Sequence, residues 1–210
     1  VPKTADEFTA RFNAGDLTFA LVDPPMLAQV RDAATLVAST TTEQDEVRRG
    51  LIVIPSESAL QSVDELRGKS VCVATRSGLE TFVSQMATLK SQGITGSELN
   101  FVVSADLSEA TAINGLLGDE CEAAFISESY MRSLDDNTLS SLKVLSYTAR
   151  IPNSAVVAYW DTPQETIDKL KEALLKLTAS SKELQPTGFS SFVEADQELY
   201  SKFLDAYSAE

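Results

Sequence analysis

The segment Leu66 to Phe82, LRGKSVCVATRSGLETF, constrains the fold more than any other part of the chain. A basic turn (Arg67-Gly68-Lys69) feeds the short apolar run Val71-Cys72-Val73-Ala74. The run stops at Thr75-Arg76-Ser77-Gly78, and a helical pattern follows to a stop near Gly93. This spacing predicts a strand, a tight polar turn and a helix start. Helix starts carry unpaired backbone N–H groups and about half a positive charge. Hydroxyls and a guanidinium at that point make a seat for a small anion.

The same alternation runs along the whole chain. Thr4-Ala-Asp-Glu7 is a capping box opening a helix with Phe8 and Phe12 on one face and a stop at Gly15. Leu17 to Val22 reads as a buried strand ending at Asp23-Pro24-Pro25, followed by a helix through Met26, Leu27 and Val30 and a strand from Thr35 to Ser39. Beyond the polar stretch 40–46 come a strand at Leu51–Ile54 and a second capping box, Ser62-Val-Asp-Glu65. Further strands are expected at Phe101–Val103, Ala123–Ile126, Leu142–Tyr147 and Ala155–Trp160. Ser108 is placed to cap a helix carrying Ile113, Leu116 and Leu117. Thr162-Pro163-Gln164-Glu165 combines a capping box with proline at the first helical position, opening a helix through Ile167, Leu170, Leu174 and Leu177. Pro186 to Phe192 reads as a loop before a last helix with Leu199, Tyr200, Phe203, Leu204 and Tyr207.

Strands separated by helices imply an α/β protein with mostly parallel sheets. Two such groups imply two lobes crossed twice by the chain, with lobe 1 at 1–53 plus 150–210 and lobe 2 at 54–149. Ligands in open α/β sheets sit beyond the carboxyl ends of the strands. Asp23-Pro24-Pro25, Thr75-Arg76-Ser77-Gly78 and Ser127-Glu128-Ser129 all occupy such ends, which makes the 75–78 turn one wall of an expected interlobe cleft.

Charge and composition narrow the function. With 31 acidic against 17 basic residues the net charge is −14, which argues against nucleic acid and anionic membranes as partners. The chain contains no histidine, which removes Ser-His-Asp and Cys-His catalysis and most zinc sites. No apolar run reaches the roughly 18–20 residues of a membrane span. Nor does the sequence open on a signal-like segment, so an already processed product is expected. The two cysteines are not a framework. Cys72, inside an apolar strand, reads first as a buried free thiol, and a disulfide is open to it if the chain lives outside the cytoplasm. Neither is paired with a base, so catalysis is not expected.

Together these elements resemble the periplasmic substrate-binding proteins of phosphonate, phosphite and phosphate ABC importers. The resemblance covers nearly the whole chain. It is carried by LTFALVDPP, SVDELRGKSVCVATRSG, LSEATAINGLLGDECEAAFISES, RIPNSAVVAYW and the DTPQETIDKLKEALLKL helix. It implies a two-lobed type II periplasmic-binding fold lacking the family's usual first strand and helix. It further implies an exported, periplasmic or extracellular monomer that takes no cofactor or metal, captures a small oxyanion and passes it to a permease. The family's hydroxyl-rich turn after the LRGK strand falls on Thr75, Arg76, Ser77 and Gly78, with Arg76 in place of the middle hydroxyl. The remaining expected ligand contacts are Asp23, Ser108, Ser127, Glu128 and Asn153. The family's Ser-His pair at a helix start is here Ser108-Glu109, and Glu109 itself reads as a first-turn acid favoured by the helix dipole. Tyr130 and Tyr147 fit either the flank of a cleft or core packing. Alternative readings are a ligand-sensing receptor domain of the same fold and a transferrin-like anion- or metal-binding lobe.

Overall fold

The computed structural model describes residues 2–42 and 48–207. The chain forms two compact units: unit 1 is Val1–Asp45 with Pro152–Leu204, and unit 2 is Glu46–Ile151 with Asp205–Glu210. Most of the polar stretch between the first two lobes' segments, 43–46, lies outside the described residues.

In unit 1, helix α1 (Ala5–Asn13) opens on Thr4, whose hydroxyl accepts the Glu7 N–H. The return half of the expected box is displaced by one residue: Glu7 Oε2 accepts from the Lys3 N–H at 2.9 Å. The helix stops before Gly15, which takes the left-handed conformation (φ 81°) that glycine tolerates best. Strand β1 (Phe19–Val22), helix α2 (Pro24–Val30) and strand β2 (Ala34–Thr41) follow.

In unit 2, β3 (Gly50–Pro55) and β4 (Ser70–Val73) are separated by a 3-10 turn at Val63–Leu66. The Ser62 side chain makes no capping bond to that turn, and Glu65 instead accepts from the Gln61 N–H. A π-helical turn, Leu79–Val83, runs into α3 (Ser84–Ser91). Then come β5 (Asn100–Val103), α4 (Glu109–Leu117), β6 (Ala123–Ser127), α5 (Glu128–Ser133), α6 (Asp136–Ser140) and β7 (Leu142–Tyr147).

The chain returns to unit 1 for β8 (Ala155–Tyr159), α7 (Gln164–Leu175), β9 (Ser191–Val193) and α8 (Gln197–Tyr207), whose residues up to Leu204 belong to unit 1. Pro163 is the residue before α7 rather than its first turn, with no side-chain cap, and Leu177 lies beyond the helix end. The expected loop 186–192 contains the start of β9, which pairs with β2.

Mostly parallel sheets were expected, but neither sheet is mostly parallel: sheet 2 is mixed and sheet 1 is antiparallel throughout. Sheet 2 has the order β5-β4-β6-β3-β7. Strand β4 pairs in parallel with β5 and β6, while β3 is antiparallel to both β6 and β7. Sheet 1 has the order β1-β8-β2-β9, and each pair is antiparallel. The physical reason is shared. Strands β1 and β2, joined by α2, point the same way, but β8 is inserted between them running opposite. In the same manner β3, the first strand after the chain enters unit 2, runs against its neighbours. The insertion also corrects the expected boundary: residues 50–53 belong to sheet 2, not to the first lobe.

Sheet 2 is buried on both faces, as its near-continuous apolar strands require. Ile52, Ile54, Val71, Val73 and Phe125 pack on one side with Leu66, Leu89 and Ile94. Leu51, Val53, Cys72, Ala124 and Ile126 pack on the other with Ile113 and Leu116 of α4. The period-two alternation of a strand makes this division. On the α4 side Cys72 and Cys121 form a disulfide with Cα atoms 5.8 Å apart, so the free-thiol reading is replaced. A Cβ on Gly115 would stand 2.9 Å from Cys72 Sγ, which is why α4 carries glycine where it crosses the bridge. In unit 1, Val37, Val156, Ala158 and Phe192 pack against Ile167 of α7 and Leu184.

Candidate functional site

The carboxyl ends of β4 and β6 lie side by side in sheet 2. Their last register pair is Val73 with Phe125, so Thr75 and Ser127, two residues further on, stand at one level. The Thr75-Arg76-Ser77-Gly78 turn leaves β4 there. Thr75 Oγ1 accepts from the Ser77 N–H at 3.3 Å, and the two hydroxyl oxygens are 3.1 Å apart. Arg76 is exposed, and its guanidinium lies over the Phe101 ring at 5.0 Å. Gly78 is required by space: a Cβ there would collide with Thr81 Oγ1 and reach Thr75 Cγ2 at 3.1 Å.

Ser127 ends β6 buried, and its hydroxyl accepts the Tyr130 N–H at 3.1 Å to cap α5. Ser129 Oγ is 3.1 Å from Ser127 Oγ. Glu109, the first residue of α4, reaches across to this strand end. Its Oε1 accepts the Ser127 N–H at 2.5 Å and its Oε2 accepts the Ser127 hydroxyl at 3.2 Å. Burial pushes the Glu109 carboxyl above its ordinary range; the Ser127 bonds oppose this and the nearby Glu80 charge adds to it. Burial and the Glu109 charge raise the Tyr130 phenol as well.

Ser108 caps α4 through the Thr111 N–H and bonds to the Asp106 carboxylate at 3.0 Å, so its hydroxyl serves the helix start. Leu107, just before it, is a non-glycine residue in the left-handed region (φ 56°).

Glu128 is gripped by two arginines. Arg49 Nε donates to Oε2 at 2.6 Å and Nη2 to Oε1 at 3.2 Å, while Arg132 Nη2 donates to Oε1 at 2.9 Å. Burial alone pushes this carboxyl up, but the hydrogen bonds and charges of Arg49 and Arg132 outweigh it and hold Glu128 below its ordinary value. The Arg49 guanidinium also lies 4.1 Å from the centre of the half-exposed Tyr147 ring. Next to Arg49, Arg48 donates to Glu80 at 2.6 Å. The buried Gln85 amide donates to the carbonyls of Glu80, Leu51 and Ile126, tying the turn after β4 to β3 and β6.

The two expected contacts in unit 1 have structural partners. Asp23 Oδ1 accepts the Met26 N–H at 2.8 Å, capping α2. The Asn153 carbonyl accepts from the Tyr200 hydroxyl at 2.7 Å. Unit 2 thus gathers Thr75, Arg76, Ser77, Gly78, Ser108, Ser127 and Glu128 around neighbouring strand ends and the α4 start. Asp23 and Asn153 belong to unit 1.

Sequence reasoning missed Arg48, Arg49 and Glu80, and gave Glu109 only a dipole role. The signal for the arginines was a basic doublet directly before an apolar strand in an acidic chain. Glu109 carried no such signal, because its partner lies 18 residues away. Among the described residues, no group of three or more Asp, Glu, His or Cys side chains is arranged to hold a metal ion. Among them, too, no helix is long and apolar enough to cross a membrane.

Residues 1–200 match the family model for the periplasmic substrate-binding protein of phosphonate ABC transporters, and the chain belongs to that family. No curated protein matches its sequence. Among solved structures it is similar to XAC2383 of Xanthomonas citri bound to ATP, at 14% identity and TM-score 0.64, covering 99% of this chain and 82% of that one. It is similar to PhnD1 of Prochlorococcus marinus in complex with methylphosphonate, at 14% identity and TM-score 0.53, with 98% and 82% covered. It is also similar to transferrin 1 of Manduca sexta, at 16% identity and TM-score 0.68, covering 99% of this chain and 40% of that one. At these identities the likenesses establish the shared type II binding-protein fold.

Proposed function

We propose that this chain is the exported solute-binding component of an ABC importer. On this reading it captures a small oxyanion of the phosphonate, phosphite or phosphate type without chemistry and hands it to a permease. The observation that carries the reading is the donor set at the neighbouring ends of β4 and β6. Thr75 and Ser77 follow one strand end and Ser127 and Ser129 the next, on the parallel pair where α/β sheets take ligands. Family membership supports the substrate class. The Cys72–Cys121 disulfide supports an oxidising compartment, because such bonds persist outside the cytoplasm.

Thermal-shift and calorimetric titrations with methylphosphonate, phosphite and inorganic phosphate test this directly. A ligand present at about 100 times its Kd stabilises the native state by about 2.7 kcal/mol, well within reach of a melting curve. Ser127→Ala and Ser77→Ala are expected to reduce the shift. Silence towards all three ligands at millimolar concentration, in the wild-type protein and also in Glu109→Ala, overturns the reading.

A further inference from the structure

We propose that Glu109 is a resident competitor for the oxyanion seat, so that ligand capture requires its carboxylate to be displaced or protonated. This inference rests on the oxyanion reading above. The carboxylate spans Ser127 with both oxygens, one on the backbone N–H at 2.5 Å and one on the hydroxyl at 3.2 Å. Two oxygens of a phosphonyl group would engage an N–H and a hydroxyl in the same fashion. Glu109 comes from a different element, the first turn of α4, and the helix is held against the sheet by Ile113 and Leu116 in the core. The carboxylate is therefore brought to Ser127 by tertiary packing. It is not a local cap, since Ser108 already caps α4.

The charges facing Glu109 make the competition depend on pH. From the π-helical turn comes Glu80, itself ion-paired with Arg48, and from α5 comes Tyr130. Ser127 supplies the hydrogen bonds that favour the ionised form. An arriving anion meets a carboxylate already on its donors and a second one, Glu80, close by. Protonation of Glu109 removes the charge and weakens its hold on the Ser127 N–H. Burial favours that protonated form, so acidification opens the seat.

Calorimetry with methylphosphonate and with inorganic phosphate from about pH 5 to about pH 8 on wild type, Glu109→Ala and Glu109→Gln tests the idea. Glu109→Ala is expected to bind at least about tenfold tighter than wild type at the alkaline end. Its pH profile should retain only the ligand's own ionisation, with Glu109→Gln between the two. In the absence of added ligand, the Ser127 amide proton of the wild type should titrate in NMR with an acidic group, and that titration should vanish in Glu109→Gln. If wild type binds while both variants bind equally or more weakly at every pH, the proposal fails and the oxyanion reading stands. If neither wild type nor variants bind, both fail. A Ser127 amide insensitive to pH overturns the proposal whether or not Glu109→Ala folds.

Discussion

In unit 2 the central strands are covered on both faces, and both neighbours of β6 are strands. In unit 1 the corresponding strand, β1, which also borders the inserted antiparallel strand, lies at the sheet edge with Leu21 half exposed. The ion pairs differ in exposure: in unit 1, Lys171 of α7 reaches the exposed Glu194 just after β9 at 3.0 Å. The ion pairs of α7, Lys169–Glu165 and Lys176–Glu172, are exposed and one helical turn apart. Water and salt screen such exposed pairs, so they contribute little. In unit 2, Arg48–Glu80 and Arg49–Glu128 join residues distant in sequence, with the Glu128 side chain only 13% exposed. Unit 2 is a sheet closed by packing, a disulfide and cross-element charge pairs at its strand ends. Unit 1 relies on one inserted strand and its helices. A surface made of small hydroxyls needs a rigid support, and unit 2 supplies it with the Cys72–Cys121 disulfide and with ion pairs less exposed than Lys171–Glu194 of unit 1.

The largest test of this contrast is the disulfide. Replacing Cys72 and Cys121 by serine should cost unit 2 about 2–5 kcal/mol, as expected for loss of a native bridge. The single tryptophan, Trp160, adjoins β8 in unit 1. Its fluorescence follows unit 1, while hydrogen exchange at Val71–Val73 and Ala123–Ile126 follows unit 2. Accelerated exchange in those strands with an unchanged Trp160 transition sharpens the contrast. A Trp160 midpoint that falls in step breaks it, because the units then unfold as one.

Gly50→Ala comes next. The added Cβ would lie 2.6 Å from both Gln85 Cδ and Ser84 Oγ, inside the buried amide network. Overpacking of this kind costs about 1–3 kcal/mol, and denaturant unfolding should show the loss in unit 2. The counterpart in unit 1 is Tyr200→Phe. Its buried hydroxyl is 2.8 Å from Ser39 Oγ and donates to the Asn153 carbonyl. Removing it should cost about 1–2 kcal/mol, read by Trp160 fluorescence. If Tyr200→Phe destabilises more than Gly50→Ala, unit 1 is the more tightly held unit and the ranking reverses.

The sequence displayed most of the fold because its signals are local. The apolar runs at 51–54, 71–74 and 123–126 and the caps Thr4 and Ser108 lie where their patterns place them, whereas Asp23 and Ser127, read as ligand contacts, also cap helices. Strand direction was not legible, since period-two burial is the same for a strand running either way, and the insertions of β3 and β8 are decisions of topology. The strand-end positions of Thr75 and Ser127 were legible for the same local reason. Their partners were not, because Glu109 to Ser127, Arg49 to Glu128 and Cys72 to Cys121 span 18, 79 and 49 positions. No window of sequence contains both members of such a pair.

The smallest expected effect concerns the two acids at the β6 end, whose titrations oppose each other. Glu128 is held below its ordinary value by Arg49 and Arg132 against the effect of burial. Its contribution is therefore present above the unfolded glutamate value, about 4.3, and is lost as pH falls through the lower folded value. Glu109 is raised by burial, so its contribution is present below about 4.3 and is lost as pH rises through the higher folded value. Glu128→Gln should lower neutral-pH stability by on the order of 1 kcal/mol and flatten the acid limb of a stability–pH curve. Glu109→Gln should instead remove a decline on the less acidic side, and the double variant should lose both slopes. Chemical unfolding of unit 2 at a series of pH values reads all three. An acid limb unchanged in Glu128→Gln would show that the Arg49 and Arg132 bonds do not hold the carboxylate in solution, and would remove that less exposed pair from the difference between the units.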